Sequence, residues 1–74
     1  MKNSELTKSI ALRCRGKLSE KRIKLRAVAA VLGVSEATIY SKMSGGSDLT
    51  LSELSTIAST CNLTREDVCF ILFG

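Results

Sequence analysis

The sequence predicts an all-α domain, a compact bundle of five short helices. Three observations carry that reading. No proline interrupts the 74 residues. Apolar residues recur at three- and four-residue spacing, the period that lines one face of a helix. Hydroxyl residues and glycine stand where helices start and stop: Ser35, Thr50 and Thr64 before apolar-periodic stretches, and Gly33 after one. At this length the chain is one domain, 1–74. It hides only about 60% of its unfolded surface, so dimerisation is a common supplement.

The elements follow in order. Asn3 or Ser4 caps a first helix over 4–20, and Leu6, Ile10, Cys14 and Leu18 form its apolar face. Gly16 inside it costs up to about 1 kcal/mol relative to Ala. A second helix covers 25–32, with Leu25, Val28, Ala29 and Leu32 on one side. Gly33 stops it, because glycine adopts the left-handed conformation cheaply. Val34 then reads as a buried turn residue, and Ser35 caps a third helix at 36–43. Ser44-Gly45-Gly46-Ser47-Asp48 is a loop signal. Thr50-Leu51-Ser52-Glu53 is a capping box opening a fourth helix, 51–61, whose apolar face is Leu51, Leu54, Ile57, Ala58 and Cys61. Thr64 caps a fifth helix at 65–72, where Glu66 and Asp67 suit the positive N-terminal end. By spacing, Leu12, Ile23, Leu25, Leu32, Val34, Ile39, Leu54 and Ile57 are core or near-core.

Composition restricts the chemistry. There is no histidine, the usual group for proton transfer near neutral pH. Gly-rich phosphate loops are absent. Cys14, Cys61 and Cys69 form no CxxC pair, so they read as reduced, mostly buried thiols, not as zinc ligands or disulfides. The expectation is a protein that is not an enzyme, with no catalytic residues, metal, cofactor or small-molecule ligand. No run approaches the roughly 18–20 apolar residues of a membrane span, and the polar start MKNSELTKS is no signal peptide. A soluble, cytoplasmic chain is expected.

Charge is uneven. Residues 1–43 carry ten Lys or Arg against three Glu, a net of +7, and residues 44–74 carry one Arg against four acids, a net of −3. Arg13, Arg15, Lys17, Lys21, Arg22, Lys24 and Arg26 crowd into fourteen residues with only Glu20 opposing them. Such a stretch attracts polyanions, nucleic acid before anionic membrane. The C-terminus carries a different signal. Val68 to Phe73 are six successive apolar residues, and a helix can turn only about half of such a run onto one core. Phe70 and Phe73 are therefore expected in an isologous homodimer interface, the alternative being that the fifth helix folds back and both complete the monomer core.

The most specific pattern lies at 25–45. Two short helices are joined through Ala29-Ala30-Val31-Leu32-Gly33-Val34-Ser35. Ala29 permits a close crossing, Gly33 supplies a tight turn four residues on, and Ile39 anchors the second helix six residues after the glycine. This arrangement suits a helix-turn-helix. Residues 24–39 resemble that motif in the phage Cro and repressor (XRE-like) family. Arg15-Gly16-Lys17-Leu18, Asp48-Leu49-Thr50-Leu51-Ser52-Glu53-Leu54 and Phe70-Ile71-Leu72-Phe73 extend the likeness over nearly the whole chain.

The resemblance implies a lambda-repressor-like five-helix domain with the helix-turn-helix at helices 2 and 3. It also implies binding to double-stranded operator DNA as a homodimer, with helix 3 in the major groove, and regulation of transcription, often repression, in a phage or prophage. Carried onto this sequence, Glu36, Ala37, Tyr40 and Ser41 would read bases, with Glu36 accepting from cytosine and Ala37 packing on a thymine methyl. Lys24, Arg26, Ser35, Lys42, Ser44 and Ser47 would meet phosphates. Three departures from the family pattern stand out: Lys24 in place of a Thr or Ser cap, Leu25 in place of a phosphate-binding Gln, and Arg22 in place of a frequent turn glycine. Glu36 and Leu25 favour the alternative of a protein-interaction module on the same scaffold, such as an antirepressor or an antitoxin-like partner. The basic run lies partly on the first helix, whose outer face in that fold points away from the groove, so Arg13, Lys17 and Lys21 are expected to be solvated.

Overall fold

The computed structural model describes residues 3–74, with side chains from Leu6 onward. Five helices follow in order: α1 (Asn3–Glu20), α2 (Leu25–Leu32), α3 (Glu36–Met43), α4 (Leu51–Thr60) and α5 (Arg65–Phe73). No strand occurs among the described residues. The boundaries expected from the sequence hold to within one residue. Whether Asn3 or Ser4 caps α1 lies outside the described side chains.

The start signals act as the sequence implies. Ser35 Oγ accepts from the Thr38 N–H at 3.1 Å. Thr50 and Glu53 close a full capping box, the Glu53 N–H donating to Thr50 Oγ1 and the Thr50 N–H to Glu53 Oε1. Thr64 and Asp67 close a second one. Each box satisfies two N–H groups that a helix start otherwise leaves unbonded. α2 differs, because Lys24 occupies its N-cap position and its side chain forms no cap bond. An ammonium has no acceptor to offer.

Three helices stop the same way. At Gly33 (φ 69) the Gly33 N–H donates to Ala30 O, and the Val34 N–H reaches back to Ala29 O at 3.0 Å. This is a Schellman turn, and it requires a left-handed residue. Arg22 (φ 59) sits in the same turn after α1, with Arg22 N–H to Ser19 O and Ile23 N–H to Leu18 O. Asn62 (φ 56) follows α4, with Leu63 N–H to Ala58 O. Asparagine tolerates that region, but arginine carries a Cβ penalty there.

The core draws on every helix: Cys14 and Leu18 of α1, Leu25, Val28 and Ala29 of α2, Ile39 and Met43 of α3, Leu54 and Ile57 of α4, and Ile71 of α5. α1 packs against α5 and α3, while α2 packs against α3 and α4. Ile23, Leu32 and Val34 lie partly buried against this core. Three expected core positions do not. Leu6 is exposed because α1, about 27 Å long at 1.5 Å per residue, outruns the shorter helices packed on it. Leu12 is exposed because it stands about 200° around α1 from Cys14, on the far side of the packed stripe. Leu51 is exposed because it opens α4, and its side chain tilts toward the N-terminus, past the packed surface.

The thiols also divide. Cys14 is buried, Cys61 half-buried and Cys69 exposed, and all three are free. Burial pushes the Cys14 thiol up to about 11 and raises Cys61 as well, so neither is a ready nucleophile.

Candidate functional site

α2 and α3 meet at a corner built by small and apolar residues. Ala29 is buried where α3 crosses, and Ile39 is fully buried from the other side. The chain passes from Gly33 through Val34 to the Ser35 cap in three residues, which fixes the start of α3 against α2. The opposite face of α3 is open. Glu36, Ala37 and Tyr40 are exposed, Tyr40 at 51%. A cleft of about 420 Å³ lies between this face and the start of α2, lined by Lys24, Leu25, Arg26, Glu36 and Tyr40. The structure therefore brings together two of the expected phosphate residues, Lys24 and Arg26, and two of the expected base readers, Glu36 and Tyr40. Leu25, almost wholly buried, forms an apolar part of that lining.

The basic run separates by helix face. Arg13 donates through Nε to Ile71 O at 2.9 Å and through Nη2 to Leu72 O at 3.4 Å, closing the C-terminal carbonyls of α5. Lys17 pairs with Asp67 at 3.7 Å and with Glu20 at 3.5 Å, and Lys21 pairs with Asp67 at 3.4 Å. Lys17 also lies 4.7 Å from the centre of the Phe70 ring. These three side chains were expected to be solvated; instead they hold α5 against α1. The Thr64 N–H, the Thr64 hydroxyl and Lys21 outweigh desolvation and hold the Asp67 carboxyl below its ordinary value. Arg15, Arg22, Lys24 and Arg26 are exposed and enter no ion pair among the described residues.

Lys42 departs from its expected role. Its Nζ donates to Asp48 O at 2.9 Å and to Glu53 Oε1 at 3.1 Å, and its side chain is 14% exposed. It ties the end of α3 to the following loop and to the start of α4, which leaves its charge compensated. Partial burial acts to raise the Glu53 carboxyl, but the Thr50 N–H and the Lys42 ammonium outweigh it and hold the carboxyl below its ordinary value. The serines expected at bases or phosphates are likewise engaged locally. Ser41 Oγ and Ser47 Oγ lie 2.8 Å apart, and Ser44 Oγ donates to Ser41 O. Gly46 fits under this arrangement, since a Cβ there would stand 2.9 Å from Ser41 Oγ. Ser35 Oγ accepts from the Thr38 N–H and lies 2.9 Å from the Thr38 hydroxyl. The loop serines thus shape the exit from α3 and stand apart from the cleft.

On α5 the apolar run divides as a helix must. Ile71 is fully buried, Phe70 is 44% exposed and Phe73 82% exposed, with Cys69 beside them at the surface. Neither Phe is fully taken into the core. Sequence reasoning missed one neighbour of the cleft, Arg15, whose guanidinium carbon lies 6.0 Å from the centre of the Tyr40 ring. Only the crossing of α1 on α3 brings the two together.

The chain matches no family model, and neither characterised proteins nor solved structures yielded a match.

Proposed function

We propose that this protein is a sequence-specific DNA-binding regulator of transcription, of the Cro and repressor type, that binds operator DNA as a homodimer with α3 in the major groove. One observation carries the reading: the exposed face of α3 borders a cleft flanked by Lys24 and Arg26, two cations with no ion-pair partner among the described residues. A helix start opening between free cations is suited to a phosphate, and an adjacent exposed helix face is suited to base edges. The base readers in this reading are Glu36, Ala37 and Tyr40, with Ser41 at the margin because its hydroxyl already bonds Ser47. Lys24 and Arg26 meet phosphates, while Lys42 supports the loop. The exposed Phe70 and Phe73 supply the dimer contact.

The test is binding to the DNA flanking the gene, measured at several salt concentrations. With about 4–8 phosphates neutralised per dimer, log K against log salt has a slope of about −4 to −7. Glu36→Ala changes which sequences are preferred, whereas Lys24→Ala weakens all of them alike. A flat salt response refutes the reading, as does equal loss across all sequences for both variants. Either result favours the interaction module, in which Glu36 meets a protein partner.

A further inference from the structure

Tyr40 is the only tyrosine of the chain and there is no tryptophan; its ring lies between Arg15 of α1 and the cleft at the start of α2. On one side it lines the cleft with Lys24, Arg26 and Glu36. On another side stands Arg15 of α1, its guanidinium carbon 6.0 Å from the ring centre, within the range of a cation–π contact. Arg15 is exposed and pairs with no carboxylate among the described residues, whereas Arg13 bonds backbone carbonyls of α5 and Lys17 pairs with its Asp67. Helical geometry sets this division. Arg13, Lys17 and Lys21 repeat every four residues on one stripe, and Arg15 stands about 200° around from Arg13.

We infer that Arg15 is a positioning residue of the nucleic-acid face: it holds the Tyr40 ring toward the cleft and adds a phosphate contact from α1. This rests on the DNA-binding reading above and extends the face beyond the α2–α3 corner. An arginine serves both parts. Its planar guanidinium stacks on an aromatic ring while its N–H groups remain free at the edge for an oxyanion. Lys24 and Arg26 line a cleft that holds one carboxylate, Glu36, and Arg15 stands behind its Tyr40, so three cations without an ion pair among the described residues gather on this side. Lys8, seven residues earlier on the same face of α1, lies against Gly45 in the loop after α3, so this face of α1 runs alongside α3.

The experiment uses the full chain and a mixed-sequence DNA duplex, because phosphate contacts do not depend on base sequence. Wild type, Arg15→Gln, Arg15→Lys and the charge control Arg65→Gln are compared, with circular dichroism to check the fold. Arg65 is an exposed cation at the start of α5, away from the cleft lining. Arg15→Gln removes one phosphate contact per subunit and lowers the salt slope of the dimer by about 1.8, so its affinity deficit relative to wild type shrinks about 12-fold across a fourfold rise in salt. Arg65→Gln leaves the slope unchanged. Without DNA, tyrosine emission reports Tyr40 alone, and it changes in Arg15→Gln. Arg15→Lys retains the slope but not the wild-type emission, since an ammonium does not stack as a plane. Wild-type binding with an unchanged slope in Arg15→Gln overturns the inference and leaves the DNA reading standing. Unchanged emission in Arg15→Gln overturns it too. A wild type that does not bind the duplex refutes the DNA reading and this inference with it.

Discussion

Phe73 is the residue whose removal bears most directly on assembly. It leaves 82% of its surface in solvent, and Phe70 leaves 44%. Full burial of a Phe is worth up to about 3 kcal/mol, so the exposed parts offer about 2.5 and about 1.3 kcal/mol. Two copies offer about 7–8 kcal/mol in a symmetric contact. Lost translational and rotational freedom opposes this by at least about 4 kcal/mol, so the aromatics alone support a weak dimer. Replacing Phe73 by Ser in both copies removes about 5 kcal/mol of that, more than a thousandfold in the dissociation constant. The monomer loses little, because Phe73 makes few contacts to lose, and a change of about 0.5 kcal/mol or less is expected. Phe70→Ser is a less clean probe, since over half of its side chain is covered and Lys17 lies on its ring. Sedimentation equilibrium under reducing conditions is the assay, because Cys69 is free and exposed on the same helix. Wild type dimerises and Phe73→Ser sediments as a folded monomer. A wild type that shows no association up to about 2 mM has an association free energy weaker than about −3.7 kcal/mol, short of what the two aromatics supply, and the aromatic contact is then refuted.

Arg22→Gly relieves the left-handed strain after α1, worth about 1–2 kcal/mol, against about 0.5–1 kcal/mol of extra unfolded-state entropy. The net gain is about 0–1.5 kcal/mol, so the thermal midpoint rises by about 3–6 °C at the middle of that range, and a lower midpoint contradicts the strain. Acid stability depends on Glu53 and Asp67, whose carboxyls are both held low in the fold. A lowered folded value contributes stability that is fully present above the unfolded value and lost as pH falls through the folded one. Stability therefore declines as pH drops through and below about 4, and Glu53→Gln with Asp67→Asn flattens that decline in chemical unfolding. Lys42→Met destabilises by about 1 kcal/mol by freeing the loop after α3, which urea unfolding measures, and full retention of stability would show the tie to be idle.

Much of the fold was legible because its signals are local. Ser35, Thr50 and Thr64 name the starts of three helices by chemistry within three residues of each cap, and Gly33 names a stop by its own backbone freedom. Leu6 and Leu51 misled for the same reason. Their spacing matches a buried face, but burial depends on whether a partner helix extends that far, and spacing does not report this. The end of α1 at Glu20 falls where it was expected, although Arg22 makes the turn by adopting the conformation of a glycine without being one. At the site, Lys24, Arg26, Glu36 and Tyr40 converge as their places in the two short helices imply. Lys42 was unreadable, because its partners Asp48 and Glu53 come from a loop and a helix that the sequence does not orient.

The basic run shows why counting charge overstates a binding surface. Seven cations in fourteen residues suggest one polyanion site, yet three of them hold α5. The i, i+4 repeat of Arg13, Lys17 and Lys21 makes a single stripe, and α5 meets it with Asp67 at its start and the Ile71 and Leu72 carbonyls at its end. Asp67 is shared by Lys17 and Lys21 while also closing its own helix start, so one carboxylate anchors three functions. The charge left for a partner is smaller but better placed. Arg15, Lys24 and Arg26 belong to surfaces that face or flank α3, and none of them pairs with a carboxylate among the described residues. Cations already paired, such as Lys42, would have to give up an internal bond to reach DNA, which makes them poor contributors to the salt slope. The slope should therefore follow substitutions at Arg15, Lys24 and Arg26 and be insensitive to those at Lys17 and Lys21.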